Sequence, residues 1–122
     1  MDIEYQDFVV QFQTVQKNQV QKPPCVRINK VSSKFFSLIM VNLDTMYIHW
    51  WVYNIKYKNG NCVSASELMP YIGPEKSEPK QRYVFLLYEH EKPTIPLITT
   101  RKNFTPYYIK NLRFIDKKGF FL

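Results

Sequence analysis

The chain has 122 residues, 45% of them hydrophobic, with 17 basic and 10 acidic side chains and a formal net charge of +7. This length suits a single domain over residues 1–122 that buries roughly 65–70% of its unfolded surface, and the hydrophobic content excludes a disordered tail. The charge favours anionic partners in general. No five or six basic residues cluster, so a solvated basic face is favoured over a nucleic-acid-binding surface.

The elements predicted in the first half of the chain are strands. Residues 8–15 alternate loosely between apolar and polar side chains, which predicts an edge strand. Residues 35–43, FFSLIMVNL, are apolar on both faces and predict a central strand that is covered on two sides. Residues 47–57, YIHWWVYNIKY, are rich in aromatic and β-branched residues and predict another strand, which ends at the turn signal Asn59-Gly60.

The second half combines strands with one predicted helix. Residues 81–90, QRYVFLLYEH, predict a buried strand. In NFTPYYIKNLRF, Thr105 suits a helix N-cap, Pro106 suits the first turn, and an apolar stripe follows. Gly119 and the terminal FFL predict a last short strand. The predicted fold class is therefore mainly β, a β-sandwich with a late helix.

The two cysteines, Cys25 and Cys62, leave two alternatives open. They form a single disulfide, or they are free thiols of a reducing compartment; their spacing suits no zinc site. Nothing marks the chain as secreted, and its N-terminus does not resemble a signal peptide, so we expect free thiols and a cytoplasmic location. No apolar run reaches the roughly 18 residues of a membrane-spanning helix, so no transmembrane segment is expected.

Motifs that indicate catalysis are absent from the sequence. The only histidines, His49 and His90, lie in apolar strand patterns and in no metal-binding signature. The chain has only three glycines and contains neither a GxSxG elbow nor a glycine-rich phosphate loop. We therefore expect no catalytic residues, no metal and no cofactor, although a histidine that faces a pocket can donate to an anion.

Ordered blocks along nearly the whole chain carry a family resemblance. They are DIEYQDFVVQF, NQVQKPPCVRI, FFSLIMVNLDT, YIHWWVYNI, YIGPEKSEPKQRYVFLLYEHEKP and RKNFTPYYIKNLRF followed by GFF. Together they resemble the phosphatidylethanolamine-binding protein (PEBP) family, which includes Raf kinase inhibitor proteins and plant florigen-type regulators. The resemblance implies a PEBP-like fold and a cavity for phosphate-like anions and phospholipid head groups, in a family made up mainly of binders and inhibitors.

The resemblance also implies a set of pocket residues. They are Asn42, Asp44, His49, Gly73, Gln81 and Tyr83. His49 stands at the family's pocket histidine, and residues 81–83, Gln-Arg-Tyr, stand where the family has His-Arg-Tyr. Strand alternation places Gln81 and Tyr83 on one face and Arg82 on the other, and Gly73 would let the backbone approach the cavity.

Three departures from the family pattern predict a degraded pocket. Asn42 replaces the first acid of an Asp-Pro-Asp-x-Pro loop whose prolines are also lost, and only four residues separate Asp44 from His49, which implies a shortened rim loop. The stretch Lys76-Ser77-Glu78-Pro79 replaces a Pro-Pro-x-Gly rim. Gln81 donates through a neutral amide, and charge-assisted hydrogen bonds are roughly twice as strong as neutral ones, so anion binding should be weakened.

Two functions remain open on the sequence. The first is a non-enzymatic binding module that accepts a phosphate-bearing ligand or phospholipid head group and acts in regulation through ligand or protein binding. The alternative is a structural or protein-interaction protein, for example of a large DNA virus, that keeps the scaffold without a working pocket; its location would be the host cytoplasm or the virion. Both predict a protein partner, and neither predicts a nucleic-acid partner.

Overall fold

The computed structural model describes residues 1–75 and 81–122. Its seven strands are β1 Asp2–Glu4, β2 Cys25–Arg27, β3 Phe35–Asn42, β4 Tyr47–Lys56, β5 Ser66–Met69, β6 Arg82–His90 and β7 Arg113–Phe121. In this part of the chain, helix is limited to two single turns of 3-10 helix, Lys17–Gln19 and Pro106–Ile109. The prediction of a mainly β fold is confirmed.

Five of the strands form one antiparallel sheet in the order β5-β4-β3-β6-β7. β3 lies at its centre, and every residue from Phe36 to Asn42 is buried, which confirms the central strand predicted from its apolar run. A turn of residues 43–46 joins β3 directly to β4. At this end of the sheet, Asn42 pairs with Tyr47 of β4 and with Tyr83 of β6.

Each face of the sheet packs under a different segment of the chain. Leu38, Met40 and Phe85 belong to a core that also contains buried residues of the N-terminal segment, where β1 and β2 form a second, two-stranded sheet. Trp51 and Tyr88 face the opposite side, in a core closed by side chains from residues 98–112. Because alternate residues of each strand point to opposite faces, the five-stranded sheet has a hydrophobic core on each side.

The prediction of an edge strand over residues 8–15 was wrong. Only two isolated bridges involve this stretch, Glu4 with Val9 and Thr14 with Phe121. Phe12 adopts a left-handed backbone conformation (φ 55°), which interrupts an extended strand. The stretch instead crosses the edge of β7, where the Phe12 N–H donates to the Gly119 carbonyl at 2.9 Å.

The predicted late helix is a single 3-10 turn, and the last strand is longer than expected. Thr105 precedes this turn but its side chain makes no capping hydrogen bond, and the turn ends at Ile109. Residues from Arg113 onward pair with β6 in an antiparallel ladder instead of continuing a helix. Tertiary pairing therefore overrides the local helical pattern, whose apolar residues still pack on the second core.

The expectation of free thiols was also wrong. Cys25 and Cys62 form a disulfide, with their Cα atoms 5.1 Å apart. That separation lies in the ordinary range for a bridge. The bond joins β2, in the N-terminal layer, to the segment between β4 and β5, a contact that the sequence spacing does not indicate.

Candidate functional site

A cleft of about 590 Å³ opens at the end of the sheet where β3 finishes and β4 and β6 begin. We call it the end cleft. It is lined by Asn42, Thr45, Tyr47, His49, Ile72, Gly73, Glu75, Gln81, Tyr83, Lys102 and Asn103. Five of the six residues that the resemblance implied are therefore brought together in one place, and their role in ligand binding remains a prediction.

A hydrogen-bonded network of buried side chains forms the floor of the end cleft. The Asn42 Oδ1 accepts the backbone N–H groups of Asp44 (2.8 Å) and Thr45 (3.2 Å), which directs its Nδ2 to the Gln81 Oε1 at 2.9 Å. The Tyr83 hydroxyl donates to the same Gln81 oxygen at 3.2 Å. Because this oxygen accepts twice, the Gln81 Nε2 is the amide end left for a ligand.

His49 sits beside this network in a fixed orientation. Its Nδ1 lies 2.7 Å from the Ile72 carbonyl oxygen, which can only accept, so Nδ1 donates and Nε2 is the nitrogen available to the cleft. Its ring packs edge-on against the rings of Tyr47 and Tyr83, with centroids 5.1 and 5.3 Å away. These contacts orient the imidazole without using its second nitrogen.

The protonation of His49 follows from its surroundings. Burial lowers the pKa of the imidazole from its ordinary value of 6.5, and the Arg101 charge acts in the same direction, against the opposing effects of the Ile72 hydrogen bond and the Glu75 carboxylate. At neutral pH the ring is therefore uncharged, and Nε2 accepts hydrogen bonds. Burial also raises the pKa of the Tyr83 hydroxyl, so it remains a neutral donor.

Asp44 does not line the end cleft, contrary to the sequence-based expectation. Its Oδ2 accepts the Arg82 backbone N–H at 2.7 Å, and its Oδ1 accepts the Arg82 Nε and Nη2 at 3.2 and 3.0 Å. These hydrogen bonds hold the pKa of the carboxyl below its ordinary value of 3.8. Arg82 is exposed, as strand alternation predicted, and the Asp44 side chain follows it to the outside of the turn.

Gly73 lines the end cleft, but its contact with another segment explains why it is glycine. A Cβ atom at this position would lie 2.7 Å from the Gln21 Oε1 and 2.8 Å from the Gln21 Cα. Gln21 also donates from Nε2 to the Pro74 carbonyl at 2.7 Å. The missing side chain thus lets the N-terminal layer pack against the wall of the cleft.

Six lining residues were not named from the sequence. They are Thr45, Tyr47, Ile72, Glu75, Lys102 and Asn103. Tyr47 shares a strand face with His49, so alternation could have identified it. Lys102 carries no local signal. It reaches the cleft because Arg101 donates to the Ile48, His49 and Pro70 carbonyl oxygens at 3.1, 2.9 and 2.6 Å and ties its segment to β4.

Lys102 and Glu75 are the charged side chains among the described residues that line the end cleft. Lys102 makes no ion pair within residues 1–75 and 81–122, and Glu75 brings the only carboxylate of the lining. No group of three or more metal-ligating side chains occurs in those residues.

The replaced rim, Lys76-Ser77-Glu78-Pro79, lies outside the described residues. Nowhere in the described chain does a helix have the length and apolar character to cross a membrane.

Comparison with known proteins decides the family. The family model for phosphatidylethanolamine-binding protein matches residues 5–115. The chain belongs to the phosphatidylethanolamine-binding protein family. The family and the PEBP-like fold that the resemblance implied are thus confirmed.

Solved structures share the PEBP fold over nearly the whole chain. A carboxypeptidase Y inhibitor, complexed with its cognate proteinase, has a TM-score of 0.76 at 18% identity, covering 98% of this chain and 80% of that one. The solution structure of CG7054 has a TM-score of 0.67 at 28% identity, covering 99% and 82%. A phosphatidylethanolamine-binding protein from Plasmodium vivax has a TM-score of 0.73 at 16% identity, covering 98% and 82%. No curated protein matches the sequence.

Proposed function

We propose that the chain is a non-catalytic binding module whose end cleft accepts a zwitterionic phosphate head group such as phosphoethanolamine. The observation that carries this proposal is the pair of opposite charges, Lys102 and Glu75, in the lining of one cleft around an uncharged polar floor. The Lys102 ammonium suits a phosphate oxygen, and the Glu75 carboxylate suits the ligand's amine. Family membership supports a binding role in general.

The same residues predict weak binding at neutral pH. Gln81 offers only neutral amide hydrogens, and the uncharged His49 presents an acceptor that cannot donate to a phosphate oxygen. A single flexible ammonium then supplies the charge-assisted hydrogen bonds, which are about twice as strong as neutral ones. We therefore expect millimolar affinity, which agrees with the degraded pocket expected from the sequence.

A titration followed by NMR tests this function. Phosphoethanolamine should shift the signals of His49, Gln81 and Tyr83 saturably, and inorganic phosphate should bind more weakly because it leaves Glu75 unpaired. Lys102→Ala should weaken both ligands, whereas Glu75→Gln should remove only the preference for phosphoethanolamine. Lys110→Ala, a lysine outside the end cleft, is the matched control. Absence of shifts in a folded sample would count against the proposal.

The pH dependence of phosphate binding should identify the contribution of His49. Because burial depresses its pKa below 6.5, the ring gains a proton only as the pH falls below that value, and it then becomes a charged donor. Affinity should rise as the pH falls through the folded pKa. His49→Gln removes this rise but keeps the ligand's own titration, so the difference between the two proteins isolates the imidazole. Equal pH profiles would contradict the assignment.

The second candidate function is binding of a protein partner, with the pocket no longer used. The carboxypeptidase Y inhibitor structure supports it by analogy of fold, since that protein is complexed with a proteinase. A triple variant, Asn42→Ala, His49→Ala and Gln81→Ala, separates the two functions, because unchanged partner affinity would place the interaction elsewhere.

The cytoplasmic location stays a prediction, and the disulfide argues against it because such bonds persist mainly in oxidising compartments.

A further inference from the structure

One wall of the end cleft, residues 71–74, is held from outside by the N-terminal layer. The Tyr71 hydroxyl donates to the Val20 carbonyl oxygen at 2.7 Å. At the other end of the wall, the Gln21 Nε2 donates to the Pro74 carbonyl oxygen, also at 2.7 Å. Two consecutive residues of the N-terminal layer therefore support both ends of this wall.

Ile72 lies between these two contacts and is bonded twice to His49. The Ile72 N–H donates to the His49 carbonyl oxygen at 2.9 Å, and the Ile72 carbonyl oxygen accepts the His49 Nδ1–H at 2.7 Å. A shift of the wall would either turn the imidazole with it or leave its N–H without this acceptor, which is costly in a largely buried site. The orientation of His49 in the end cleft thus depends on the support of the wall.

The disulfide joins the support to the segment that leads into the wall. Cys25 follows Gln21 by four residues, so the bond anchors the segment that makes both contacts. Cys62 lies shortly before β5, which ends at Met69, directly before the wall. When the bond is closed, the support and the wall are therefore held together covalently as well as by hydrogen bonds.

This disulfide is accessible to a reductant. Cys62 is exposed and Cys25 is half-buried, and both line a cleft of about 450 Å³. Lys56 and Lys58 border Cys62, and neighbouring cations favour the thiolate form that attacks a disulfide. Exposed disulfides are typically the labile or regulatory ones, whereas structural disulfides resist reduction.

We propose that the Cys25–Cys62 bond is a redox switch for the end cleft, which holds the wall beside His49 in place when oxidised and releases it when reduced. This inference rests on the proposed head-group function and adds its regulation. The oxidised form is the binding form, and reduction lowers the affinity for the head group.

A dithiol supplies the two electrons of the switch. One of its thiolates attacks the Cys62 Sγ, and the electron pair of the broken S–S bond passes to the Cys25 Sγ, which takes a proton. The second thiolate of the reductant then attacks the reductant's own sulfur in the mixed disulfide, and Cys62 leaves as a thiolate that takes the second proton. The dithiol becomes a cyclic disulfide.

Amide exchange in the ligand-free protein tests the release of the wall. After reduction with dithiothreitol, the ratio of the Ile72 to the Ile48 exchange rate should rise at least about fivefold, the lower end of the usual coupling between two sites. Ile48 is the reference because its N–H donates to the Arg101 carbonyl oxygen at 2.7 Å, away from the disulfide. The ratio removes the effect of a lower overall stability. The ring signals of His49 should shift as well.

Binding measurements test the effect on the ligand. Phosphoethanolamine should bind the reduced protein at least about fivefold more weakly than the oxidised protein. Because coupling is reciprocal, saturating phosphoethanolamine should shift the equilibrium with dithiothreitol towards the disulfide by the same factor. The double variant Cys25→Ala/Cys62→Ala should bind like the reduced protein and should not respond to the reductant.

A variant of the support keeps the disulfide and tests the contact itself. Gln21→Ala removes the hydrogen bond to Pro74, so it should weaken binding by the oxidised protein and diminish the response to reduction. Arg27→Gln is the matched control, because it removes a hydrogen bond from the N-terminal layer to the Gly60 carbonyl oxygen instead of to the wall, and it should keep the full response.

The outcomes separate this inference from the proposed function. An unchanged exchange ratio, or equal phosphoethanolamine affinities in the two redox states, would overturn the switch. If the oxidised protein bound no phosphoethanolamine but the exchange ratio still rose on reduction, the proposed function would fail and the redox control of the wall would stand.

Discussion

The two faces of the five-stranded sheet are covered by segments of different construction. The first cover, residues 1–28, contains a two-stranded sheet and is bonded covalently through Cys25 to Cys62. The second cover, residues 91–112, has one 3-10 turn as its only regular element. Hydrogen bonds donated by Arg101 and two hydrogen bonds exchanged between Asn54 and Thr94 help to hold it.

This difference has a direct consequence for the burial of apolar side chains. The first cover buries apolar residues such as Ile3, Val20 and Val26 completely, and the end cleft opens at the end of the face that it covers. The second leaves Ile95 and Leu97 largely exposed and a cleft above Trp51. The first cover thus contributes many fully buried apolar residues, whereas the irregular second cover leaves more apolar surface in water.

The largest expected effect is loss of the covalent link to the first cover. The double variant Cys25→Ala/Cys62→Ala should reduce the free energy of unfolding by about 3–4 kcal/mol, because the bond closes a loop with a sequence separation of 37 residues. Chemical denaturation under oxidising conditions measures the loss.

Reduction of the wild-type protein is the matched control for this variant. It should reproduce the same loss, and a reducing agent should have no effect on the double variant. If the oxidised wild-type protein and the variant unfold at the same denaturant concentration, the disulfide does not contribute to the free energy of unfolding. The covalent bond would then not distinguish the stability of the first cover from that of the second.

Removal of the Arg101 side chain should loosen the second cover selectively. Arg101→Ala leaves three carbonyl oxygens without their guanidinium donor, and we expect a loss of about 2 kcal/mol. Hydrogen exchange should increase in residues 91–112 and remain unchanged in β1 and β2. Arg101→Lys should recover only part of the loss, because one ammonium cannot span the three acceptors.

Lys102→Ala is the control for Arg101, since it removes a neighbouring charge that makes no ion pair within the described chain. It should leave stability unchanged and weaken only phosphate binding. If Arg101→Ala accelerated exchange equally in both covers, the segment would not be held as a separate unit, and the difference between the two faces would not extend to their dynamics.

The sequence predicted the long strands of the central sheet better than the short strands and the segments that cover the sheet. The long apolar runs of β3, β4 and β6 were identified correctly, because burial on both sides leaves a strong local pattern. β1, β2 and β5 have three or four residues each and form through partners distant in sequence. Residues 8–15 were misassigned because alternation alone does not reveal the left-handed Phe12.

The sequence likewise identified some residues of the end cleft and missed others. Its strand residues, such as His49 and Tyr83, were accessible through the family resemblance and strand alternation. Lys102 and Glu75 were not, because each stands outside the strands, where alternation gives no indication of the direction of a side chain. The resemblance also predicted Asp44 in the pocket, whereas the short turn directs its carboxylate to Arg82.

The smallest expected effect is that of Asp44→Asn, which tests whether the Asp44 carboxylate contributes to ligand binding. Asp44→Asn should leave phosphoethanolamine affinity within about twofold and should lower stability by less than about 1 kcal/mol, as is usual for an exposed ion pair. The Arg82 hydrogen bonds depress the folded pKa of Asp44 below 3.8, so its stabilisation is present above that pH and is lost as the pH falls through the folded value. Denaturation of both proteins from pH 7 downward should therefore show their difference vanish in acid.

Arg82→Gln provides the partner arm of a double-mutant cycle, and the two substitutions should be less than additive because they break the same contact. If Asp44→Asn weakened phosphoethanolamine binding tenfold, we would conclude that the Asp44 carboxylate contacts the ligand in the end cleft. In that case the ligand-bound turn of residues 43–46 would differ from the unliganded one, and the end cleft would include an acid that exchanges Arg82 for the ligand's amine.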